Sequence, residues 1–182
     1  HHMYTVGEHI LHTLLEVRPD RILRLTMLLH DIGKPYMKTM DADGVAHFKG
    51  HPEKSSELAN EILHRLKFDN DTIRKVTKLV RYHDHRMPVT PAHVRRAVHE
   101  IGEDLFPLYL EVRRADVAAQ SMYQHKEKVA DIDGVEKLYH EIMERKECVS
   151  LKMLAVTGKD LIAAGMKPGK EIGQMLEHFL DL

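Results

Sequence analysis

The chain has 182 residues with 27 Lys and Arg against 28 Asp and Glu, so one domain with at most a short appendage is expected, and no overall basic field marks it for nucleic acid. Hydrophobic residues at 43% and charged residues at 30%, with 10 Gly, 7 Pro and no Trp, favour a helical, water-facing globule. The lone Cys148 excludes an intramolecular disulfide framework, and neither a signal peptide nor an apolar run near the roughly 18 residues of a membrane span is visible, so a cytoplasmic location without membrane contact is expected.

Val6, Ile10, Leu14 and Val17 recur at helical spacing and predict a first helix from Tyr4 to Val17, with Thr5 as N-cap and Glu8 completing a capping box. His1-His2 before Met3 has the look of a tag remnant. Arg18-Pro19-Asp20 breaks the chain, and a strongly apolar second helix follows from Arg21 to Asp31, stopped by Gly33 and Pro35. Met37 to Phe48 centres on the turn dipeptide Asp43-Gly44 and reads as a loop or small β-hairpin. His51-Pro52-Glu53 opens a third helix carrying Ala59, Ile62, Leu63 and Leu66. Asn70 is the expected cap of a fourth, Asp71 to His83.

Thr90-Pro91 opens a fifth helix through about Ile101, with proline at its first position. Asp104 to about Lys128 reads as a sixth, Pro107 fitting its start, and Gly134 to Lys146 as a seventh. Beyond it, Thr157-Gly158-Lys159-Asp160-Leu161 begins a short helix, Gly165 to Gly169 turns, and Lys170 to Leu182 forms the last helix. The expectation is an all-α bundle with a small hairpin insertion, residues 1–150 forming one domain and 151–182 a C-terminal helix-turn-helix appendage.

Fifteen histidines are the oddity of the composition, and a histidine excess points to metal first. His30-Asp31 ends a buried helix, where adjacent side chains can diverge from the regular face. An isolated His-Asp pair means little. Its company raises it: His9 on the first helix, His51 opening the third, His83-Asp84 ending the fourth and Asp116 within the sixth. Imidazoles mixed with carboxylates suit a divalent transition metal, which lowers the pKa of bound water towards about 7. Asp31, with two oxygens, is the natural bridge between two ions.

The order His9, His30-Asp31, His51, His83, Asp116, with Leu28-Leu29-His30-Asp31-Ile32-Gly33-Lys34, resembles the HD superfamily of metal-dependent phosphohydrolases. Tyr4-Thr5-Val6-Gly7-Glu8-His9, His47-Phe48-Lys49-Gly50-His51, Leu79-Val80-Arg81-Tyr82-His83, Arg113-Arg114-Ala115-Asp116 and the tail from Val156 to Gly169 are similar to the HD domain of bacterial tRNA nucleotidyltransferases. The resemblance covers nearly the whole chain. It implies a helical fold and one or two divalent ions (Mn, Fe, Co, Ni or Zn, with Mg admitted). His9, His30, Asp31 and Asp116 match the basic ligand set, and His51 and His83 match the positions of a second ion. It implies hydrolysis of phosphomonoesters or 2′,3′-cyclic nucleotides. It also implies that the nucleotidyl-transfer domain, N-terminal in such enzymes, lies outside this sequence, so that the chain by itself does not add CCA.

The expected activity is therefore hydrolysis of a phosphate ester, a nucleotide or an RNA end. Asp31 and His30 sit at the catalytic centre, and Lys34, His47 and Arg114 face the substrate. The site residues have ordinary alternatives: His30-Asp31 as a helix C-cap and a loop carboxylate, His51 as a loop residue before Pro52, Lys34 as a solvated lysine, Asp116 as an ion-pair partner of Arg113 or Arg114, and Asp84 or His85 in place of His83. The rival function is a tRNA-binding or regulatory module without turnover, in which Lys159, Lys167 and Lys170 hold RNA phosphates.

Overall fold

The computed structural model describes residues 5–120, 124–145 and 151–181. Tyr4, the His1-His2-Met3 segment, Lys146, Cys148 and the stretch before the expected 150/151 boundary lie outside them. Among the described residues the architecture is all-α with one two-stranded hairpin, the helices as composition and periodicity predict and the hairpin where the Asp43-Gly44 turn predicts it.

Helix α1 (Val6–Leu15) begins with the expected capping box, Thr5 and Glu8 each satisfying the other's backbone N–H. Helix α2 (Arg21–Leu29) is capped by Asp20, whose Oδ1 accepts from the Leu23 N–H at 3.0 Å, and its C-cap is His30. Gly33 and Pro35 then open a short helix α3 (Lys34–Met37), with proline in the first turn where no intrahelical N–H is needed. Gly33 is there for close approach and not as a left-handed stop. Its φ is -79°, and a Cβ would meet the Ser55 backbone nitrogen at 2.6 Å and the His51 carbonyl at 2.8 Å.

Strands β1 (Thr39–Met40) and β2 (Ala46–His47) pair antiparallel with Thr39 opposite His47. The turn is built on Asp41 Oδ1, which accepts from the Asp43 and Val45 N–H groups, and on Gly44 at φ +76°. Helix α4 (His51–Arg65) follows Gly50 at φ +82°.

Helix α5 (Asn70–Tyr82) corrects the expected cap. Asp69, not Asn70, stands at the N-cap in extended backbone, its carboxylate accepting from both the backbone N–H and the hydroxyl of Thr72. Helix α6 (Pro91–Ile101) runs as expected from the Thr90 cap to Gly102.

The sixth and seventh elements divide earlier than expected. Helix α7 (Phe106–Ala118) ends well before Lys128, and helix α8 (His125–Glu144) carries Gly134 in its interior. Glycine there is a packing choice, since a Cβ would lie 2.7 Å from Val89 Cγ1. A 3₁₀ turn (Leu151–Met153), α9 (Gly158–Ala163) with a Thr157/Asp160 capping box, and α10 (Lys170–Asp181) complete the chain.

The chain gathers into two compact units, residues 1–86 with 104–132, and 87–103 with 133–182. In the first, α2, α4 and α5 share a core of Leu29, Ala59, Leu63, Ile73, Val76 and Val80. A second cluster joins Val17, Leu23 and Met27 to Val112 and Ala115 of α7. Each fully buried side chain such as Leu23, Met27 or Leu63 contributes about 1.5–3 kcal/mol. These two clusters fix the ends of α2, α5 and α7. In the second unit α10 packs on α6 and α9, and Val94, Ala97, Val98 and Ile101 are buried.

Candidate metal centre

All six expected ligand residues lie in the first unit, and five elements bring them together. His9 projects from α1, His30 is the C-cap of α2 with Asp31 next to it, His51 begins α4, His83 is the C-cap of α5, and Asp116 sits in the third turn of α7. His30, Asp31, His51, His83 and Asp116 are buried, and His9 is half-buried.

Three of the four imidazoles are oriented by one local device, and the fourth by a carbonyl at the end of α7. His30 Nδ1 reaches back three residues to the Met27 carbonyl at 2.7 Å, and His83 Nδ1 does the same to Val80 at 2.7 Å, each using a carbonyl that the helix end leaves open. His51 Nδ1 reaches the Phe48 carbonyl at 2.9 Å, and His9 Nδ1 that of Ala119 at 3.2 Å. A carbonyl only accepts, so each Nδ1 carries a proton, and each Nε2 faces the cluster with a lone pair whenever its ring is neutral.

Those lone pairs converge. His9 and His30 Nε2 are 3.3 Å apart, and His51 and His83 Nε2 are 3.2 Å apart. Asp31 stands between the pairs, its Oδ2 at 3.4 Å from His30 and 3.6 Å from His9, its Oδ1 at 3.3 Å from His51 and 3.6 Å from His83. Asp116 Oδ1 adds a second carboxylate at 2.9 Å from His9 and 3.7 Å from His30. Asp31 Oδ1 is buried and finds no hydrogen-bond donor among the described residues. Acceptors facing acceptors in a buried site are unfavourable until a cation is placed among them. The donor set therefore fits a divalent ion on His9, His30 and Asp31, with Asp116 beside them, and another on Asp31, His51 and His83.

The electrostatics agree. Burial opposes a charged imidazole at His30, yet hydrogen bonding and charge from Asp116 and Asp31 outweigh it and raise its pKa to about 10. Burial alone would raise the Asp31 and Asp116 carboxyls, but the surrounding histidines hold both below the ordinary carboxylate range. The cluster is thus a strong attractor of positive charge.

The other expected residues divide. Lys34 is at the site, its Nζ donating to Asp31 Oδ2 at 2.6 Å. His83 rather than its neighbours reaches the cluster. Asp84 faces Arg86 and Arg113, and His85 packs edge-on against Tyr82. Asp116 pairs with His9 and not with Arg113, whose guanidinium donates to the His83 carbonyl at 3.2 Å. His47 is exposed on the hairpin and paired with Asp41 at 2.7 Å, and Arg114 is half-buried on α7.

Sequence reasoning missed three supporting groups. Gln120 donates from Nε2 to Asp116 Oδ2 at 2.7 Å, Lys128 donates in turn to Gln120 Oε1 at 2.8 Å, and Ser55 Oγ receives the Gly33 N–H at 2.9 Å. Gln120 stands four positions after Asp116, a spacing that could have flagged it.

Comparison with known proteins bears on the same region. A family model described as tRNA nucleotidyltransferase domain 2 matches residues 46–181, which include His51, His83 and Asp116. An A-adding tRNA nucleotidyltransferase of Deinococcus radiodurans is 32% identical over 190 residues, covering 100% of this chain and 43% of the relative. A CC-adding tRNA nucleotidyltransferase of Thermus thermophilus is 31% identical over 192 residues, covering 100% of this chain and 41% of the relative. The chain thus spans less than half the length of these relatives. No solved structure gives a significant match.

Proposed function

The chain belongs to the tRNA nucleotidyltransferase domain 2 family, and on that premise we propose that it serves as the tRNA-contacting or regulatory helical module of a nucleotidyltransferase-type protein, carrying a divalent-metal centre of the HD kind. The observation that carries this reading is the match of the whole chain to relatives named for adding A or CC to tRNA. Lys159, Lys167 and Lys170 are exposed in the second unit and supply cations of the kind that contact RNA phosphates.

A second reading has its own observation, the convergence of four imidazole lone pairs on Asp31 and Asp116. In this reading the chain is a metal-dependent phosphohydrolase acting on nucleotides, 2′,3′-cyclic nucleotides or RNA ends. His9, His30, Asp31 and Asp116 would hold one ion, and Asp31, His51 and His83 a second. A divalent ion supplies Lewis acidity towards a phosphoryl oxygen and lowers the pKa of coordinated water. Imidazole with carboxylate suits Mn, Fe, Co, Ni or Zn, and Mg is also accommodated. The backbone carbonyls of Met27, Val80 and Phe48 keep the rings aimed, and Gln120 holds the second oxygen of Asp116. Lys34, with Arg114 and His47, neutralises the arriving phosphate.

One experiment separates the readings. Protein stripped with a chelator and reloaded with single metals is incubated with tRNA and with a panel of phosphate esters, and both retention and products are measured. Retained tRNA without products, in every metal, supports the module. Metal-dependent products that vanish in Asp31→Ala support hydrolysis. Neither retention nor products overturns both.

A further inference from the structure

The two oxygens of Asp31 have different company. Oδ1 faces only the His51 and His83 lone pairs at 3.3 and 3.6 Å and accepts no hydrogen bond among the described residues. Oδ2 already has a cation, the Lys34 ammonium at 2.6 Å, on a carboxylate that is 1% exposed. The pair is three residues apart in a turn whose backbone is held in place: the Lys34 N–H donates to the Asp31 carbonyl at 3.0 Å, and Gly33 is pressed against α4. Lys34 Nζ also lies 5.9 Å from the centre of the Phe48 ring, an aromatic face that can host an ammonium displaced from the carboxylate.

We propose that Lys34 is a built-in competitor for the divalent ion at the Asp31 oxygen facing His9 and His30, and that it limits how many ions the centre holds. The inference rests on the metal-centre reading above. Once an ion has displaced any proton from the imidazoles, the six residues carry the two negative charges of Asp31 and Asp116, and Lys34 cancels one of them. A first divalent ion turns the site net positive. A second ion must then enter against both the first and the ammonium, in a buried place where charges are weakly screened. Lys34 therefore lowers affinity for both ions, and its charge adds to the repulsion that the first ion imposes on the second. Where metal is scarce, the same lysine keeps Asp31 neutralised, so the metal-free protein does not bury an unpaired carboxylate.

The test is a calorimetric titration of chelator-stripped protein with Mn²⁺ alone, for wild type, Lys34→Gln, Lys34→Met and Lys34→Arg. Lys34→Gln keeps a hydrogen-bond donor near Asp31 and so guards against misfolding, which circular dichroism of the stripped protein checks. The expected result is affinity raised about tenfold or more in Lys34→Gln and Lys34→Met, with more ions bound at a given free Mn²⁺, and wild-type behaviour in Lys34→Arg. Unchanged or weaker binding by a folded Lys34→Gln protein overturns the competition while leaving the metal centre standing. A wild-type protein that binds no Mn²⁺ overturns both.

Discussion

Tyr109 is 3% exposed on α7, and its hydroxyl donates to the His85 carbonyl at 2.8 Å, tying α7 to the segment that follows His83. Burial pushes its phenol up to about 12, with the Arg113 charge opposing and Asp84 assisting. Between about pH 10 and 12 the unfolded chain has lost this proton while the folded chain retains it, so stability falls as pH rises through that window, by about 2–3 kcal/mol at its end. Tyr109→Phe is expected to cost about 1 kcal/mol at neutral pH and to flatten this alkaline fall, as urea melts at several pH values would show. An equal alkaline slope in both proteins would contradict the assignment. At this scale the candidate residues were readable as a group: His30-Asp31 gained weight from the company of His9, His51, His83 and Asp116, and the resemblance of their order to the HD superfamily implied the ligand set. Side-chain direction was not readable. Which of His83, Asp84 and His85 turns inward depends on the backbone at the end of α5, and the Lys34 ammonium sits on Asp31 because the turn between α2 and α3 folds it back.

Elements place these side chains chiefly through their ends. His30 and His83 close α2 and α5 with the same Nδ1-to-carbonyl bond, and His51 opens α4 after a left-handed glycine. The junction of α2, α3 and α4 depends on Gly33, whose missing Cβ leaves room for the Ser55 backbone at 2.6 Å. Gly33→Ala is therefore expected to push α4 away from the turn, destabilising the fold by about 1–3 kcal/mol and weakening metal binding as His51 moves with it. A thermal melt and a metal titration equal to wild type would refute that packing. Helix starts were legible at Thr5, Thr90 and Thr157, where one capping side chain stood alone. The ends of α7 and the start of α8 were not, because Gly134 reads as a breaker in sequence yet serves as a contact surface for Val89 in a continuous helix. Asp69 and Asn70 are both good caps by residue type, and only the backbone angles choose between them.

In the whole molecule the six candidate ligand residues belong to a unit assembled from two separate stretches, 1–86 and 104–132, with α7 returning to lay Asp116 beside His9 and His30. An all-α bundle was legible from composition and periodicity. This discontinuity was not, since it is decided by which apolar faces meet, and Val112 and Ala115 join Leu23 and Met27 across some ninety positions of chain. Relatives more than twice as long align over this whole chain, and the proposed metal centre lies within the aligned stretch. The most direct test of that account is the metal content of the purified chain by mass spectrometry after stripping, reloading with Mn²⁺ and desalting, with Asp31→Ala alongside. The account predicts one to two ions per wild-type chain and close to none in a folded Asp31→Ala protein. Equal metal content in the two proteins, or none in either, would contradict it.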